Sequence, residues 1–401
     1  MRAAVASCVF PSDDAKADDR PVLPRMTALG VLTVLLAAPA VTSALYFWIA
    51  AQRLAQWRRE PAPADAPLPP ATFFRPLKTG VPDLKVKLST LADALRPGDQ
   101  LLIGAERDSA EWRTAQALTE ARPEVEIAVV ICEPGAAPNP KISKLLQMEP
   151  LARHALWILS DSESVTDAEF LTAFRREWTR SDVLTAAYRF TGIATWPQRL
   201  DAAATVLTLW PGLAILRAAG RVRLTLGACT GLRREQLDAV GGWRAFGDDL
   251  AEDNRLGQAL AAAGRTIRLS TQIVTLQSDA LSWPDYWRHQ RRVATTYRVA
   301  NPAGFAGALL TQGVTTSFVL ALLRPTEFWT WSLFAAVFGS RWLTARHAAR
   351  RLDFPIGGLA LVVLMASLVE TVCWGLSWGA REVWWGGVRR RLSWDGKLRP
   401  D

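Results

Sequence analysis

Cysteine and histidine are scarce in this chain. Its 401 residues include four cysteines and three histidines, and no two cysteines form a Cys-x-x-Cys pair. Disulfide frameworks and histidine-rich metal sites need more of these residues at closer spacing. The sequence therefore argues against both, and it indicates reduced thiols in a protein that faces the cytosol.

The chain is basic but has no nucleic-acid-binding pattern. Its net charge is +9, and its arginines cluster beside apolar runs. Such clusters attract anionic lipid headgroups. Eight of the 18 tryptophans lie in the last quarter of the chain, as expected of aromatic side chains at a bilayer interface. The sequence therefore predicts a lipid bilayer as a partner, and no nucleic acid.

Two apolar regions frame the rest of the sequence. Residues 1–25 are polar and predict a disordered tail, whereas residues 26–51 are long enough to cross a bilayer, which takes ~20 residues. This run is too long for a signal peptide and has no clear cleavage site, so we expect a retained transmembrane anchor. Apolar character returns at residues 303–378, between an interfacial segment, 281–302, and a basic amphipathic tail, 379–401. The second region contains three candidate membrane segments, at residues 305–323, 328–345 and 356–378.

Residues 72–280 have the pattern of an α/β domain. Short apolar runs alternate with alanine-rich helical stretches, at residues 100–104, 127–131 and 155–159. Strands that alternate with helices predict a mainly parallel sheet, whose ligand binds at the carboxyl ends of the strands.

Acidic residues follow two of these strand-like runs. Asp161 and Glu163 come directly after residues 155–159, and Glu106 follows residues 100–104. Two carboxylates on one turn offer hard oxygen ligands to Mn²⁺ or Mg²⁺, and the phosphates of a ligand can complete the shell. The same residues are also compatible with an ordinary polar turn, and Glu106 with a solvated loop acid.

Three further groups suit phosphate or proton chemistry. Lys141, in an Asn-Pro-Lys sequence, presents an amine to phosphate, although a single surface lysine is usually only solvated. Asp253 opens a predicted helix and has a carboxylate that can take a proton from a hydroxyl group. The basic residues at 288–292 can hold a leaving diphosphate. A structural interpretation is also open, because acids complement a helix dipole and arginines beside a membrane bind headgroups.

Glu370 is an acid inside the last candidate membrane segment. An ionisable side chain at such a position usually faces protein or water and has a partner. We expect a structural ion pair with Arg341 or Arg381, in preference to a contact with a polar lipid headgroup.

The order of these motifs resembles glycosyltransferase family 21, which includes ceramide glucosyltransferases and bacterial hopanoid-associated glycosyltransferases. The similarity extends from about residue 74 to about residue 398. It is carried by residues 74–78, 139–142, 158–162, 241–243, 251–253, 270–272, 288–298 and 384–396. The resemblance implies an α/β, GT-A-type nucleotide-sugar-binding domain with N-terminal and C-terminal transmembrane helices.

The family has three acids followed by a (Gln/Arg)-x-x-Arg-Trp motif. By position, the resemblance places Glu106 at the first acid, Asp161 at the second and Asp253 at the third, the catalytic base. The glutamate at position 106 departs from the aspartate of the family but keeps an acceptor group.

The last motif departs further from the family. Only Arg292 is kept, because His289 stands in place of Gln or Arg and Val293 in place of Trp. The valine removes an aromatic wall, and Tyr297 is the nearby residue that can replace it.

The resemblance implies a membrane-bound, metal-dependent, inverting glycosyltransferase. Its expected donor is a nucleotide sugar, UDP-glucose in the first place, and its acceptor is a lipid hydroxyl such as that of ceramide. Mn²⁺ or Mg²⁺ is the expected cofactor. The expected site residues are Asp253, Arg292 and His289 for catalysis, Glu106, Lys141 and Asp161 for donor binding, and Asp161 and Glu163 for the metal.

Two alternatives stay open. One is transfer from UDP-N-acetylglucosamine to a hopanoid-type or other lipid, and the other is a catalytically impaired membrane scaffold with the same fold. In each case we expect a multi-pass membrane protein whose catalytic domain faces the cytosol, where donor nucleotides are made. Three full C-terminal crossings would place the basic tail outside, against the positive-inside rule. We therefore expect one segment to re-enter or lie flat.

Overall fold

The computed structural model describes residues 27–57, 68–278, 280–355, 357–385 and 388–399. The predicted tail at residues 1–25 lies outside them. The strands are β1 (Thr72–Pro76), β2 (Gln100–Ala105), β3 (Glu126–Ile131), β4 (Leu156–Leu159), β5 (Ser164–Val165), β6 (Val183–Ala186), β7 (Tyr188–Thr191), β8 (Cys229–Arg233), β9 (Ile267–Leu269), β10 (Val274–Gln277), β11 (Glu382–Trp385), β12 (Val388–Leu392) and β13 (Leu398–Arg399). The α-helices are α1 (Ala28–Gln56), α2 (Leu84–Asp93), α3 (Ala110–Ala121), α4 (Pro140–Met148), α5 (Ala168–Trp178), α6 (Trp196–Ala204), α7 (Trp210–Ala218), α8 (Arg234–Asp238), α9 (Glu252–Ala262), α10 (Trp283–Ala300), α11 (Pro302–Gly307), α12 (Gly313–Leu323), α13 (Phe328–Arg351) and α14 (Leu359–Ser377).

Seven strands form the main sheet, in the order β3-β2-β1-β4-β8-β6-β9. Four neighbouring pairs run parallel, whereas β8 is antiparallel to both β4 and β6. The predicted strands at residues 100–104, 127–131 and 155–159 are β2, β3 and β4, and the mainly parallel sheet is confirmed. A second sheet has the order β5-β10-β7.

Both faces of the main sheet are buried. Successive residues of a strand point to opposite faces, so Phe73 packs in one core cluster with Leu101, and Phe74 packs in the other with Leu102. Burial on both faces explains why these strands are continuous apolar runs in the sequence. The acids that follow β2 and β4 are therefore among the first polar side chains to emerge from the core.

A long apolar helix interrupts the α/β domain. A π-helical turn, Thr205–Leu209, joins α6 and α7 into one segment, Trp196–Ala218. This segment packs in one apolar cluster with Trp57, which follows α1, and Val362 of α14. The sequence places these residues in the soluble domain, and the membrane-like helix was not predicted because Asp201 interrupts its apolar pattern.

The remaining apolar helices pack beside this segment. Thr42 and Ser43 of α1 donate hydrogen bonds to the carbonyls of residues 310 and 311 (2.9 and 3.0 Å), and Thr344 of α13 donates to the carbonyl of Phe47 (2.6 Å). Among the described residues, α1, the segment formed by α6 and α7, and α14 are long and apolar enough to cross a membrane. The bent pair of α11, with its 3-10 extension, and α12, whose axes differ by 46°, adds a fourth candidate.

The expected ion pair of Glu370 is confirmed. Arg341 of α13 is buried and forms an ion pair with Glu370 of α14. Thr208, in the π-helical turn, donates a hydrogen bond to the same carboxylate (2.8 Å). The carboxylate of Glu370 thus joins α13, α14 and the π-helical turn.

The basic tail forms the C-terminal sheet, which consists of the antiparallel strands β11, β12 and β13. Val383, Leu392 and Leu398 of this sheet pack against Leu250 and Val299 in a separate apolar cluster. The sheet thus covers the region where the loop before α9 meets the end of α10.

Candidate active site

Two carboxylates meet at one glycine. The backbone N–H of Asp161 donates to the Gly227 carbonyl (3.0 Å), and the N–H of Gly227 donates to Asp253 Oδ2 (3.1 Å). A Cβ at position 227 would lie 2.4 Å from Asp161 Oδ2 and 3.0 Å from Lys141 Nζ. Glycine is therefore needed for the close approach of these side chains.

Lys141 is the cation at this centre. Its Nζ lies 2.7 Å from Asp161 Oδ1 and 3.1 Å from Glu252 Oε1. Burial alone would lower the pKa of Lys141, but Asp161, Glu252 and Asp253 outweigh burial and raise that pKa. The ammonium group therefore stays charged and offsets part of the negative charge of the acids.

Asn139 explains how the Asn-Pro-Lys sequence reaches this position. Its side chain caps α4 by accepting hydrogen bonds from the backbone N–H groups of Lys141 and Ile142 (2.9 and 3.1 Å). Its amide also donates to Glu252 Oε2 (3.2 Å) and to the carbonyl of Asp249 (2.8 Å). One fully buried amide thus joins the start of α4 to the start of α9.

The environment of Asp253 brings the pKa of its carboxyl group close to neutrality. Burial, followed by repulsion from Glu252 and Asp161, raises the pKa of Asp253 to about 7, whereas Lys141 opposes this rise. A carboxylate with a pKa near the working pH is suited to accept a proton and then release it. The predicted position of the base at the start of α9 therefore has the right electrostatics.

A buried arginine holds the turn after β4. Arg75, on β1, donates to the carbonyls of Asp161 and Ser164, the latter at 3.0 Å, and to Thr166 Oγ1 (3.2 Å). Its side chain is fully buried, so these bonds replace its contacts with water. Arg75 lies in the family-like motif at residues 74–78 but was not predicted as a site residue. An arginine inside an apolar strand was the signal.

Glu106 and Glu163 are held by other lysines. Glu163 forms an ion pair with Lys78, and Glu106 Oε1 lies 2.9 Å from Lys144 Nζ. Within the described residues, the carboxylates of Glu163 and Glu106 pair with Lys78 and Lys144, and not with Lys141. The structure therefore brings Asp161, Lys141 and Asp253 together, but not the two glutamates.

The chemistry of Asp161 fits a divalent metal ion. Its side chain is 39 % exposed, and its Oδ1 lies 2.7 Å from Lys141 Nζ. In the part of the chain that the structure describes, no group of three or more His, Cys, Asp or Glu side chains is arranged to hold a metal. Mn²⁺ and Mg²⁺ are hard ions, and Mg²⁺ in particular is often held by one or two carboxylates together with substrate phosphates and water. An exposed carboxylate at the end of a strand suits that mode.

The motif on α10 is held by an acid from α6. His289 Nδ1 lies 2.8 Å from Asp201 Oδ1, and Gln290 Nε2 donates to the same oxygen (2.7 Å). Asp201 is buried and was not predicted as a site residue. A single acid within an apolar stretch, as with Glu370, was the signal that could have found it.

Arg292 and Tyr297 of α10 interact electrostatically with the acids at the start of α9. Burial lowers the pKa of Arg292, while Asp201 and Glu252 act in the opposite direction. Although Tyr297 is 44 % exposed, the protein around its hydroxyl and the charge of Asp253 raise its pKa. The side of α10 that carries these residues is therefore electrostatically coupled to the start of α9.

The mainly parallel sheet, with acids after its strands, is the α/β architecture that the GT-A resemblance implies. The chain belongs to glycosyl transferase family 21, whose sequence model matches residues 32–398. This match covers nearly the whole chain and confirms the resemblance seen in the short motifs.

Two solved structures are similar to this chain. The mannosyltransferase PcManGT from Pyrobaculum calidifontis, in complex with GDP-Man and Mn²⁺, is 16 % identical, with a TM-score of 0.49 over 86 % of this chain and 99 % of that chain. S. aureus TarS 1-349, in complex with UDP-GlcNAc, is 15 % identical, with a TM-score of 0.37 over 83 % of this chain and 99 % of that chain.

Proposed function

We propose that this chain transfers a sugar, with inversion, from a nucleotide sugar to the hydroxyl of a membrane lipid. UDP-glucose is the proposed donor, and a ceramide-type lipid is the proposed acceptor. The observation that carries this proposal is the carboxylate of Asp253, whose pKa is raised to about 7 beside the charged amine of Lys141. A proton acceptor next to a phosphate-binding cation is what a one-step glycosyl transfer needs.

The reaction follows from these positions. The lipid hydroxyl gives its proton to Asp253, and its oxygen attacks the anomeric carbon from the face opposite the diphosphate. The bond between that carbon and the diphosphate oxygen breaks, and the nucleoside diphosphate leaves with the electron pair. Lys141 and, from the side of α10, Arg292 stabilise the negative charge that develops on the leaving group.

Donor binding uses the carboxyl edge of the sheet. Asp161 is the residue that would hold Mn²⁺ or Mg²⁺, with Glu163 as a further ligand from the same turn, and the ion would supply additional charge neutralisation for the diphosphate. Glu106, which follows β2, would accept hydrogen bonds from the base or ribose of the donor. His289, held by Asp201, would orient Arg292 at the start of the membrane-facing part of the chain.

Exposed aromatic residues support a lipid acceptor. Trp283 and Trp287, on α10, are exposed, while Tyr297 on the same helix senses the charge of Asp253. Amphipathic segments of this kind lie at a membrane surface. We propose that α10 guides the lipid headgroup from the bilayer to the base, in a multi-pass protein whose catalytic domain faces the cytosol.

The test is a product assay with the purified full chain in detergent. UDP-glucose, ceramide and Mn²⁺ should yield UDP and a glycolipid, identified by mass spectrometry, and omission of the lipid should abolish glycolipid formation. Glu120→Gln, an exposed change on α3, is a control for handling and should behave like the parent. If a product forms only with UDP-N-acetylglucosamine and a hopanoid-type lipid, these two are the donor and the acceptor. Saturable UDP binding without any product would favour the impaired scaffold.

A further inference from the structure

The C-terminal sheet has two chemically different faces. Residues opposite each other in an antiparallel pair lie on the same face, as do alternate residues of one strand. Trp384 is opposite Arg389, and Arg391 is opposite both Glu382 and Arg399. These five residues therefore share the outer face, which carries one aromatic ring, three arginines and one acid. On the inner face, Val383, Leu392 and Leu398 pack against Leu250 and Val299 of the catalytic region, and Arg390 lies opposite Val383.

The outer face is open to its surroundings. Trp384 is 50 % exposed, and Arg389, Arg391 and Arg399 are also exposed. The ion pair between Arg389 and Glu382 leaves two positive charges in excess. An exposed tryptophan among excess arginines has the composition of a surface that meets anionic headgroups.

This face continues into the membrane-like part of the molecule. Only four residues separate the end of α14 from the start of β11. The Arg288 guanidinium of α10 lies 5.9 Å from the centre of the Trp384 ring, so the sheet adjoins the exposed tryptophans of α10. Behind it, Trp394 of the sheet contacts Trp378, which follows α14. The outer face and α10 therefore form one continuous aromatic and basic surface.

The sheet lies against the catalytic domain. Its residues Val383, Leu392 and Leu398 pack in one cluster with Leu250 and Val299, and the carbonyl of Ala380, just before β11, accepts a hydrogen bond from Arg298 of α10 (3.3 Å). Because four residues join the sheet to α14, a candidate membrane helix, the sheet lies close to one end of that helix.

The sheet is also joined to the loop at residues 248–250, which precedes α9. Lys397 Nζ lies 2.8 Å from Asp248 Oδ1 and 3.1 Å from Asp249 Oδ2. The backbone N–H of Leu250 donates to the carbonyl of Gly396 (3.0 Å). At position 396, φ is +90° and a Cβ would lie 2.7 Å from Val299 Cβ, so this contact needs glycine. A shift of the sheet would therefore be transmitted to residues 248–250, just before Glu252 and Asp253.

We propose that the outer face of the C-terminal sheet binds the headgroups of anionic phospholipids, and that this binding fixes the loop at residues 248–250 and so activates the enzyme. The second part rests on the proposed function, whereas the first part does not. The outer face would recognise the phosphate groups of lipids at a membrane surface. Exposed arginines attract them electrostatically, and Trp384 anchors at the level of the headgroups.

The binding test compares hydrogen exchange of the full chain in nanodiscs of phosphatidylcholine and in nanodiscs that also contain phosphatidylglycerol. Anionic lipid should slow exchange at residues 388–399 and 248–250. The triple variant Arg389→Gln, Arg391→Gln and Arg399→Gln should need at least about tenfold more anionic lipid, since each arginine near such a surface contributes about fivefold. The charge-matched control, Arg107→Gln, Arg113→Gln and Arg153→Gln on the exposed side of the domain, should behave like the parent.

Equal exchange of the parent in both nanodiscs, or equal lipid dependence of the two triple variants, would overturn the binding proposal. Protection by soluble glycerophosphate in neutral nanodiscs would show an anion site and overturn membrane docking.

Lys397→Gln tests the connection to the active site. It keeps the outer face, so the lipid-dependent protection of residues 388–392 should remain while that of residues 248–250 decreases. Release of UDP should rise severalfold with anionic lipid in the parent and not in Lys397→Gln. A lipid-independent rate in an active parent would overturn the activation step. Failure of all samples to release UDP would count against the proposed function, and the exchange results would still decide the binding proposal.

Discussion

Asp161, which follows β4, forms a cluster with Lys141 and Asp253, at the starts of α4 and α9. This strand-end cluster differs from the α10 motif in how its side chains are held. Its members are bonded to one another or to Gly227, and every one of them comes from a motif that matches the family. On α10, where the motif departs from the family, His289 is bonded to Asp201 of an inserted apolar helix.

This difference separates two kinds of constraint. The strand-end cluster is linked so closely that a change in any member alters the charge or the spacing of the others. In the α10 motif, His289 depends on Asp201 of another helix. A substitution at one of these two positions can be compensated by a substitution at the other. We therefore expect large losses from changes in the cluster and smaller losses from changes around α10.

The largest loss is expected from Asp253→Asn. The amide keeps the shape of the side chain but cannot take the proton of the acceptor, so kcat should fall by about 10²–10⁴. Donor affinity should stay close to that of the parent, as measured by calorimetry with UDP and Mn²⁺. Near-parental turnover would identify another base, with Glu252 as the next residue to test.

The second largest loss is expected from Gly227→Ala. A Cβ at this position would lie 2.4 Å from Asp161 Oδ2 and would displace the cluster, so kcat should fall by about 10²-fold. Gly339→Ala on α13 is the matched control, since a Cβ there meets no atom within 4 Å. A fully active Gly227→Ala protein with an unchanged melting temperature would show that the spacing at this glycine is unimportant.

Asp161→Ala should weaken Mn²⁺-dependent binding of UDP by about 10–100-fold, the size expected when a group at a metal site is lost. The comparison with Glu163→Ala tests whether both acids act on the metal. We expect a smaller loss for Glu163→Ala, since Lys78 already pairs with that carboxylate. Calorimetry with and without Mn²⁺ measures both, and equal affinities in parent and Asp161→Ala would refute the metal assignment.

The pH profile should reflect Asp253. The base must be ionised, and its pKa is raised to about 7, so kcat/KM should fall below about pH 7 by about tenfold per pH unit. Lys141 lowers this pKa, so Lys141→Met should move the acid limb of the profile to higher pH. A profile that stays flat down to pH 5 would exclude Asp253 as the titrating base.

Much of the fold and the centre of the site could be predicted because they rest on local patterns. The buried strands β2, β3 and β4 are unbroken apolar runs, and the acids follow them directly. Asp201 could not be paired with His289, because the two lie 88 positions apart on helices whose packing is decided by tertiary contacts. Arg75 was missed for a similar reason, since its partners come from the turn beyond a different strand.

The smallest effect is expected from Asp201→Asn, which tests the outside partner of the α10 motif. The amide oxygen can still accept from His289, but the bond is no longer charge-assisted, which costs about 1 kcal/mol or about fivefold in rate. If Asp201 positions His289 and Arg292, kcat should fall while the KM for the nucleotide sugar stays unchanged, and Asp201→Glu should restore part of the rate. Asp238→Asn, on the exposed side of α8, is the control. A lower melting temperature with parental kinetics would mean that Asp201 only holds α6 to α10, and the α10 motif would then be structural in this chain.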